Sequence, residues 1–295
     1  MPGNFIGPDG DLENIFVTEY DMIDRYVTTG SLWLWGLNDA GRQLGDNTSN
    51  PNSKSSPIQT SISGTNWKEI AYKQDETLSA IKSDGTLWVW GRNSFGQIGM
   101  GSTTVIISPV QTIAGGTNWK QVSSGSTTGA IKTDGTLWMW GFNYYGALGD
   151  NTRTTRTSPI QTIAGGTNWK QVTSGYNTTA AIKTDGTLWT WGLNDRGQLG
   201  DNTRTSRSSP IQTIAGGTNW KQVSMGHLNC GAIKTDGTLW MWGTSNNGAL
   251  GDNTSVKKSS PVQTVAGGNN WKQLSAGQSC MAIYFYDAYN LYPSA

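Results

Sequence analysis

Side chains that could carry out catalysis are few in this sequence. The chain has 295 residues but only one histidine, His227, and two cysteines, Cys230 and Cys280. It contains no Cys-x-x-Cys pair, no G-x-S-x-G motif and no glycine-rich phosphate loop. Catalysis requires titratable groups that converge, so we interpret His227 as a polar loop residue and the cysteines as small buried apolar residues. The sequence therefore predicts no catalytic residue and a protein that is not an enzyme.

Four aspartates that each begin an Asp-Asn-Thr triplet are the candidates for metal ligands: Asp46, Asp150, Asp201 and Asp252. A calcium-binding loop needs several carboxylates at alternating positions, and these segments lack that dense alternation. Asp and Asn favour tight turns because their side chains hydrogen-bond to the nearby backbone. We therefore interpret the triplets as turn-forming, and we predict that the protein binds no metal ion and no cofactor.

Paired cations recur in three loops and could bind a partner: Arg153 and Arg156, Arg204 and Arg207, and Lys257 and Lys258. If these loops share one rim of the fold, their side chains form a basic crescent. The corresponding loop of another repeat carries the apolar residues Val105, Ile106 and Ile107. Consecutive apolar residues in a surface loop are costly unless they are covered. This loop therefore either contacts a partner or folds back on its own repeat.

The elements that must position these residues belong to a tryptophan-rich repeat. The motif W-x-W-G occurs five times, at 33–36, 88–91, 138–141, 189–192 and 240–243. A second motif, N-W-K, follows each of them, at Trp67, Trp119, Trp169, Trp220 and Trp271. Together the two motifs contain all 15 tryptophans of the chain. An internal period of about 50 residues indicates a repeat fold such as a β-propeller.

One repeat, residues 168–218, contains four segments typical of short strands: WKQV, AAIKT, TLWTWG and SPIQTI. The T-D-G step at 184–186 predicts a tight hairpin turn, in which glycine supplies a positive φ. In TLWTWG, the two-residue period places Leu188 on one face of the strand and Trp189 and Trp191 on the other. Four strands per repeat predict the blades of a propeller. The tryptophans of the W-x-W-G motifs are expected to form its structural core: Trp33, Trp35, Trp88, Trp90, Trp138, Trp140, Trp189, Trp191, Trp240 and Trp242.

The two ends of the repeat region predict how the propeller closes. The first W-x-W-G segment and the SPIQTS after it correspond to the third and fourth strands of a blade. The last segments, NWKQLSAG and CMAIYFY, correspond to the first and second strands. Pairing them would complete a fifth blade and remove exposed strand edges. We therefore predict an all-β, five-bladed β-propeller at residues 26–286, closed by N- and C-terminal strands. An open solenoid is the alternative fold, and residues 24–28 could themselves be the second strand of the closing blade.

The segment AIKTDGTLWxWG followed by NxxGxLG resembles the regulator-of-chromosome-condensation repeat family over about residues 26–286. This resemblance implies a β-propeller, which in the family usually has seven blades rather than five. Family members include a GTPase exchange factor, an ultraviolet photoreceptor and a β-lactamase inhibitor, so the fold alone does not give the function. The sequence lacks the exchange factor's long insertion between strands. Its short repeats are similar to those of bacterial and phage open reading frames.

The first 30 residues differ from the repeats in charge. They contain six acidic residues and Arg25 as their one cation, a net charge of −5, whereas the rest of the chain carries +6. We predict an acidic N-terminal arm at 1–25 and a C-terminal tail at 287–295. The near-neutral total of +1 argues against nucleic-acid binding. The chain shows no signal-peptide pattern and no apolar run long enough to enter a bilayer as a span, so we expect it in a virion or in the cytoplasm.

These features predict a non-enzymatic scaffold or interaction protein. The first hypothesis is a structural subunit of a large assembly such as a phage virion, in its tail, baseplate or decoration layer, where it contacts other protein subunits. The second is a propeller lectin that binds glycans at up to five equivalent sites between blades. The third is a regulator or inhibitor that docks one protein partner. The variable turns after the first strand of each repeat fit a binding surface or neutral drift.

Overall fold

The computed structural model describes residues 30–38, 43–48, 53–62, 64–72, 77–277 and 280–285. The predicted acidic arm, the alternative strand at 24–28 and the C-terminal tail lie outside the described residues. The described chain consists of short antiparallel strands and one 3₁₀ turn, at Asn246–Gly248. The all-β prediction is confirmed. Within these segments there is no helix with the length and apolar character needed to cross a membrane.

The strands form four complete blades and two half-blades. The N-terminal half-blade consists of β1 (Trp33–Gly36) and β2 (Lys54–Gln59). The first complete blade consists of β3 (Trp67–Tyr72), β4 (Thr77–Lys82), β5 (Leu87–Gly91) and β6 (Ile106–Gln111). The second consists of β7 (Trp119–Ser123), β8 (Thr127–Lys132), β9 (Leu137–Gly141) and β10 (Arg156–Gln161). The third consists of β11 (Trp169–Ser174), β12 (Thr178–Lys183), β13 (Leu188–Gly192) and β14 (Arg207–Gln212). The fourth consists of β15 (Trp220–Met225), β16 (Asn229–Lys234), β17 (Leu239–Gly243) and β18 (Lys258–Gln263). The C-terminal half-blade consists of β19 (Trp271–Ser275) and β20 (Met281–Tyr284).

Ring closure is not formed by the described strands. No sheet among them combines β1 or β2 with β19 or β20, so the blade count and the closure stay predictions. Trp33 and Trp35 of β1 are 51% and 63% exposed. This differs from their expected core position because no first or second strand of a blade pairs with β1 here.

The hairpin between the second and third strands is stabilised by the predicted T-D-G step. In the third blade, Asp185 accepts hydrogen bonds from the backbone N–H and the hydroxyl of Thr187, at 2.9 and 2.7 Å. The Thr187 hydroxyl in turn accepts one from Trp189 Nε1 at 2.9 Å. Gly186 has a φ of +79°, and a Cβ atom there would overlap the carbonyl oxygen of Thr218. The turn therefore requires glycine for its backbone conformation and for the close approach of the next blade.

The second tryptophan of each W-x-W-G motif joins neighbouring blades. It is fully buried in all four complete blades, as Trp90, Trp140, Trp191 and Trp242. In the third blade, Trp191 Nε1 donates a 2.8 Å hydrogen bond to the carbonyl of Ala147 in the second blade. The indole lies so close to Gly149 that a Cβ atom there would be 2.9 Å from Nε1. Each such ring buries about 150–250 Å² of surface that would otherwise contact water. The core between blades is therefore built from aromatic rather than aliphatic side chains.

The first tryptophan of the motif is partly buried and helps to enclose a lysine. In the third blade, Lys183 Nζ lies 4.8 Å from the ring centroid of Trp169 and 4.7 Å from that of Trp189. The other complete blades repeat this arrangement with Lys82, Lys132 and Lys234. A cation between two aromatic faces is attracted by both ring quadrupoles. The lysine of A-I-K is therefore part of the blade's packing.

Lys183→Met is expected to lower the free energy of unfolding by about 1 kcal/mol. The substitution keeps an apolar side chain of similar reach between the rings and removes the charge. Urea denaturation measures the loss, and Lys170→Met, at an exposed position of the same blade, is the matched control. A loss at position 183 no larger than at position 170 would contradict a role for the cation.

Neighbouring blades are also joined along their inner strands β3, β7, β11, β15 and β19, which contact one another in this order. Gln121 accepts a 2.8 Å hydrogen bond from Val172 N and donates one of 3.1 Å to Val172 O. Gln171 bridges to Val223 in the same way, and Gln222 accepts a 3.1 Å hydrogen bond from Leu274 N. In the first blade the equivalent residue is Glu69, which accepts a 2.9 Å hydrogen bond from the second blade. We call this series the inner ladder.

Candidate partner-binding surface

Two kinds of loop meet on one face of the propeller: the turn between the first and second strands, and the start of the long loop between the third and fourth. In the second blade, Phe142 N donates a 2.9 Å hydrogen bond to Ser126 O, and in the third, Leu193 N donates one of 2.9 Å to Asn177 O. The variable turns singled out in the sequence therefore lie beside the loops that follow W-x-W-G.

A groove of about 350 Å³ crosses this face from the first blade to the third. Four of its nine lining residues are aromatic: Phe95 comes from the first blade, Phe142 and Tyr145 from the second, and Tyr176 from the third. The remaining lining residues are Arg92, Gln97, Ser126, Asn177 and Leu193. We call this feature the aromatic groove.

The rings of the aromatic groove support one another across blades. Phe95 and Phe142 have centroids 4.7 Å apart and planes tilted by 57°. Phe142 and Tyr145 lie 6.5 Å apart at 60°. Tyr176 is nearly parallel to His227 of the fourth blade, at 4.4 Å and 15°. Tilted and offset ring pairs are favourable arrangements, so these contacts join the first blade to the second and the third blade to the fourth.

The aromatic residues of the groove, and Tyr144 beside it, are departures from the repeat. Where the second blade has Phe142, Tyr144 and Tyr145, the third has Leu, Asp and Arg, and the fourth has Thr, Asn and Asn. Blade packing therefore does not require aromatic rings at these places. The sequence interpretation missed Phe95, Phe142 and Tyr145, although a position-by-position comparison of the repeats would have revealed them. It included Tyr176 and His227 within the variable turns.

The cations of the predicted basic crescent fall into two groups. One member of each pair forms an ion pair with the aspartate of its own D-N-T triplet: Arg156 with Asp150 at 3.1 Å, Arg207 with Asp201 at 3.3 Å and Lys258 with Asp252 at 3.4 Å. Of the other members, Arg153 and Arg204 are exposed and Lys257 is partly buried. Three of the six cations therefore stabilise their own loops through ion pairs. A partner-binding role for the other three stays a prediction.

The D-N-T aspartates organise these loops through hydrogen bonds. Asp150 accepts from the Thr152 hydroxyl at 2.7 Å and from Asn143 Nδ2 at 3.1 Å, in addition to its ion pair with Arg156. Partial burial opposes ionisation of Asp150, but these hydrogen bonds outweigh it and hold the pKa of the carboxyl below its usual value. This arrangement supports the interpretation of the triplets as turn-forming.

The apolar run of the first blade is partly buried. Ile106 and Ile107 begin strand β6 rather than belonging to the loop, because Ile106 pairs with Gly91. Ile106 packs beside the core of the first blade, and Ile107 O accepts a 3.1 Å hydrogen bond from Asn47 N. Val105 is partly buried as well. These three residues therefore pack largely against neighbouring parts of the same chain. A partner contact at this segment stays a prediction.

The three residues with the most reactive side chains, His227, Cys230 and Cys280, all pack against neighbouring residues. His227 stacks on Tyr176. Cys230 is buried and Cys280 partly buried, and no disulfide joins them. Burial raises the pKa of the Cys280 thiol, which outweighs the opposing hydrogen bonds from Gly277 and Asn229. A raised thiol pKa lowers reactivity at neutral pH. The expected absence of catalytic, metal and cofactor roles stays a prediction.

Known proteins share this repeat. The chain is similar to the ultraviolet-B receptor UVR8 of Arabidopsis thaliana, with 33% identity over 236 residues that cover 79% of this chain and 53% of the receptor. It is also similar to the regulator of chromosome condensation of Mus musculus, with 31% identity over 104 residues, 31% of this chain and 25% of the regulator. The chain thus spans about half, or less, of the length of these relatives.

The fold has a close structural counterpart in Prp20p of Saccharomyces cerevisiae, with a TM-score of 0.74 and 17% identity over 88% of this chain and 66% of that chain. At this identity the likeness shows the fold. The relatives are named a receptor and a regulator, which fits an interaction or regulatory role. A profile of the RCC1-like domain matches residues 25–290, and the protein therefore belongs to the RCC1-like family of β-propellers.

Proposed function

We propose that this protein is a non-enzymatic interaction module whose aromatic groove docks a protein partner. The observation that carries the proposal is a set of aromatic side chains that blade packing does not need, gathered from successive blades on one face. Tyrosine, phenylalanine and arginine are enriched in protein interfaces, and a few such residues carry most of the binding energy. Tyr145 and Tyr176 supply contact area at a low cost in conformational entropy.

The comparisons are consistent with a protein-binding role. Prp20p binds Gsp1p and histones, and the same yeast protein forms a complex with Kap60. Those partners belong to Prp20p. What we carry over to this chain is that a propeller of this fold can bind other proteins.

The glycan and virion hypotheses receive less support from the geometry. A lectin with equivalent sites between blades would need exposed rings there, but the second tryptophan of every complete blade is buried. Among the described residues the aromatic groove occurs once. In the virion hypothesis the acidic arm at 1–25 would be the tether, and this arm lies outside the described residues. A role as an assembly subunit stays a prediction, as does a location in a virion or in the cytoplasm. Both are compatible with a propeller that docks a protein partner.

We also propose that the two half-blades meet to complete a fifth blade. In four places a loop carbonyl accepts a hydrogen bond from a buried indole: Gln43 from Trp90, Gln97 from Trp140, Ala147 from Trp191 and Gln198 from Trp242. When the repeats are aligned, Ala249 occupies the position of these carbonyl acceptors and Trp35 the position of the indole donors. Trp35 would therefore donate to the carbonyl of Ala249 in the closed propeller. The space over Gly251 holds no indole, whereas the equivalent glycines each lie against one. A cavity of about 480 Å³ lined by Ala249 and Trp271 is open at this place.

The inner ladder supports the same closure. Gln273 occupies the same repeat position as Gln121, and Ile70 the same position as Val172. In a closed propeller, Gln273 would therefore hydrogen-bond to the backbone of Ile70. Ile70 is 68% exposed, whereas its counterparts in the other blades are buried. Isolated proteins rarely leave extended apolar surfaces uncovered, so pairing of the half-blades would cover both edges.

Tyr145→Ala is expected to weaken partner binding at least about tenfold, because it removes a ring from the centre of the aromatic groove. The partner is identified by photo-crosslinking from position 145 and then titrated in purified form against both proteins. Tyr144→Ala is the matched control, since Tyr144 is exposed beside the groove and does not line it. Equal affinities of wild type and Tyr145→Ala, with both proteins folded by circular dichroism, would overturn the proposal.

A further inference from the structure

A lysine follows the tryptophan of every N-W-K motif, near the start of each inner strand. All five are exposed: Lys68, Lys120, Lys170, Lys221 and Lys272. Because the inner strands contact one another in chain order, these lysines succeed one another from blade to blade, and we call them the lysine row. In the second and third blades the inner strand runs from this lysine to the turn on the face of the aromatic groove. The lysine row therefore lies at the opposite end of the blades from the groove.

The charges of the lysine row are available to an anionic ligand. Among the residues that the structure describes, no ion pair involves these lysines. The aspartates at the same end of the blades lie in the hairpin turns between the second and third strands: Asp84, Asp134, Asp185 and Asp236. Hydrogen bonds from the threonine two residues later hold the pKa of each aspartate below its usual value, and the charge of the A-I-K lysine contributes despite slight burial. These aspartates thus have a counter-charge within their own turns. Glu69 interacts with Lys68, but its carboxylate also accepts from Val122 N of the next blade.

The described part of the propeller begins beside the lysine row. Gly30 O accepts a 3.1 Å hydrogen bond from the backbone N–H of Trp67, the residue before Lys68. The same contact joins successive blades, as where Gly135 O of a T-D-G turn accepts from Trp169 N at 3.0 Å. Gly30 therefore occupies the position of a hairpin-turn glycine. The acidic arm at 1–25 ends five residues before it, so the arm joins the propeller at the end that carries the lysine row.

We propose that the acidic arm binds to the lysine row of its own chain. The arm contains six acidic residues and Arg25, a net charge of −5, opposite in sign to the five lysines. The lysines belong to five different inner strands, so a ligand that contacts several of them needs several separated negative charges. The arm spreads its acidic residues over positions 9–24. A surface of one charge sign attracts such a segment, and the tether raises its effective concentration to the millimolar range.

Carbodiimide crosslinking of the full 295-residue chain locates the arm, because the reagent joins a carboxylate to a lysine amine in direct contact. Mass spectrometry should find the arm carboxylates linked to lysines of the row in preference to Lys257 and Lys258 of the basic crescent. An equimolar mixture of unlabelled and ¹⁵N-labelled protein should give these links within one isotope. Links mainly to the crescent, links of mixed isotope, or no arm links would each overturn the proposal.

Competition with a fluorescein-labelled oligoglutamate peptide measures the strength of the contact. In the arm-neutralised variant, all six acidic residues are replaced: Asp9→Asn, Asp11→Asn, Glu13→Gln, Glu19→Gln, Asp21→Asn and Asp24→Asn. With a tethered concentration on the order of 1 mM and an arm Kd of about 0.1 mM, this variant is expected to bind the peptide about tenfold tighter than wild type at low ionic strength. Fluorescence anisotropy measures both affinities, and circular dichroism checks that each protein is folded. Equal affinities would contradict the proposal.

Two triple substitutions that remove the same number of charges are matched controls. Lys120→Gln, Lys170→Gln and Lys221→Gln, added to the arm-neutralised variant, should abolish its tenfold gain. The crescent substitutions Arg153→Gln, Arg204→Gln and Lys257→Gln should leave the gain within about twofold, because they lie outside the lysine row. A gain that survives the first set and disappears with the second would place the arm on the basic crescent and overturn the proposal.

Discussion

Trp140→Ala is expected to lower the free energy of unfolding by about 3–5 kcal/mol. Trp140 is fully buried, and its ring lies 6.4 Å from that of Trp119 in its own blade. Its Nε1 donates a 2.8 Å hydrogen bond to Gln97 O of the preceding blade, a carbonyl that also accepts from Thr128. The substitution opens a cavity at a blade joint and removes one of the two donors to that carbonyl. Urea denaturation measures the loss as a lower transition midpoint.

The same substitution at Trp35 is the matched test of ring closure. Trp35 is 63% exposed beside its unpaired half-blade. If the half-blades pair as proposed, Trp35 fills the space over Gly251, and Trp35→Ala should cost nearly as much as Trp140→Ala. A loss below about 0.5 kcal/mol, typical of surface substitutions, would show that the half-blades stay apart.

The parts of the fold that depend on neighbouring residues could be predicted from the sequence. The T-D-G hairpin is an example, because Asp185, Gly186 and Thr187 form the turn among themselves. The four strands read from residues 168–218 correspond to β11 through β14. The sequence predicts both tryptophans of each W-x-W-G motif in the core; in the complete blades the second is buried, whereas the first is only partly buried.

The parts that depend on distant residues could not be predicted in this way. Lys183 looks like a solvated charge until strand pairing brings Trp169 and Trp189 to either side of it. Phe95 and Tyr176 are far apart in sequence and line one groove because three blades are adjacent. Trp35 repeats the local motif of Trp140 and yet is exposed, because burial depends on which strand lies beside β1.

Glu69 interrupts the inner ladder, in which every other described member is glutamine. A glutamine there both accepts from and donates to the next blade, as Gln121 does with Val172. Glu69 accepts from Val122 N at 2.9 Å, but its ionised carboxylate cannot donate. Burial raises the pKa of Glu69 to about 7, against the opposing effects of the Val122 hydrogen bond and Lys68. Protonation would give Glu69 the donor that glutamine has permanently.

Glu69→Gln is therefore expected to raise the free energy of unfolding by on the order of 2 kcal/mol above about pH 8 and to change it little near pH 4. The folded-state pKa of Glu69 lies above its unfolded value of about 4.3, so its stabilising contribution is complete below that value and is lost as the pH rises through 7. Urea denaturation of both proteins across this range isolates the effect, because titrating groups common to both cancel. Gln121→Glu is the mirror control and should lose stability as the pH rises. A difference between Glu69→Gln and wild type that stays constant with pH would contradict a titrating joint between the first two blades.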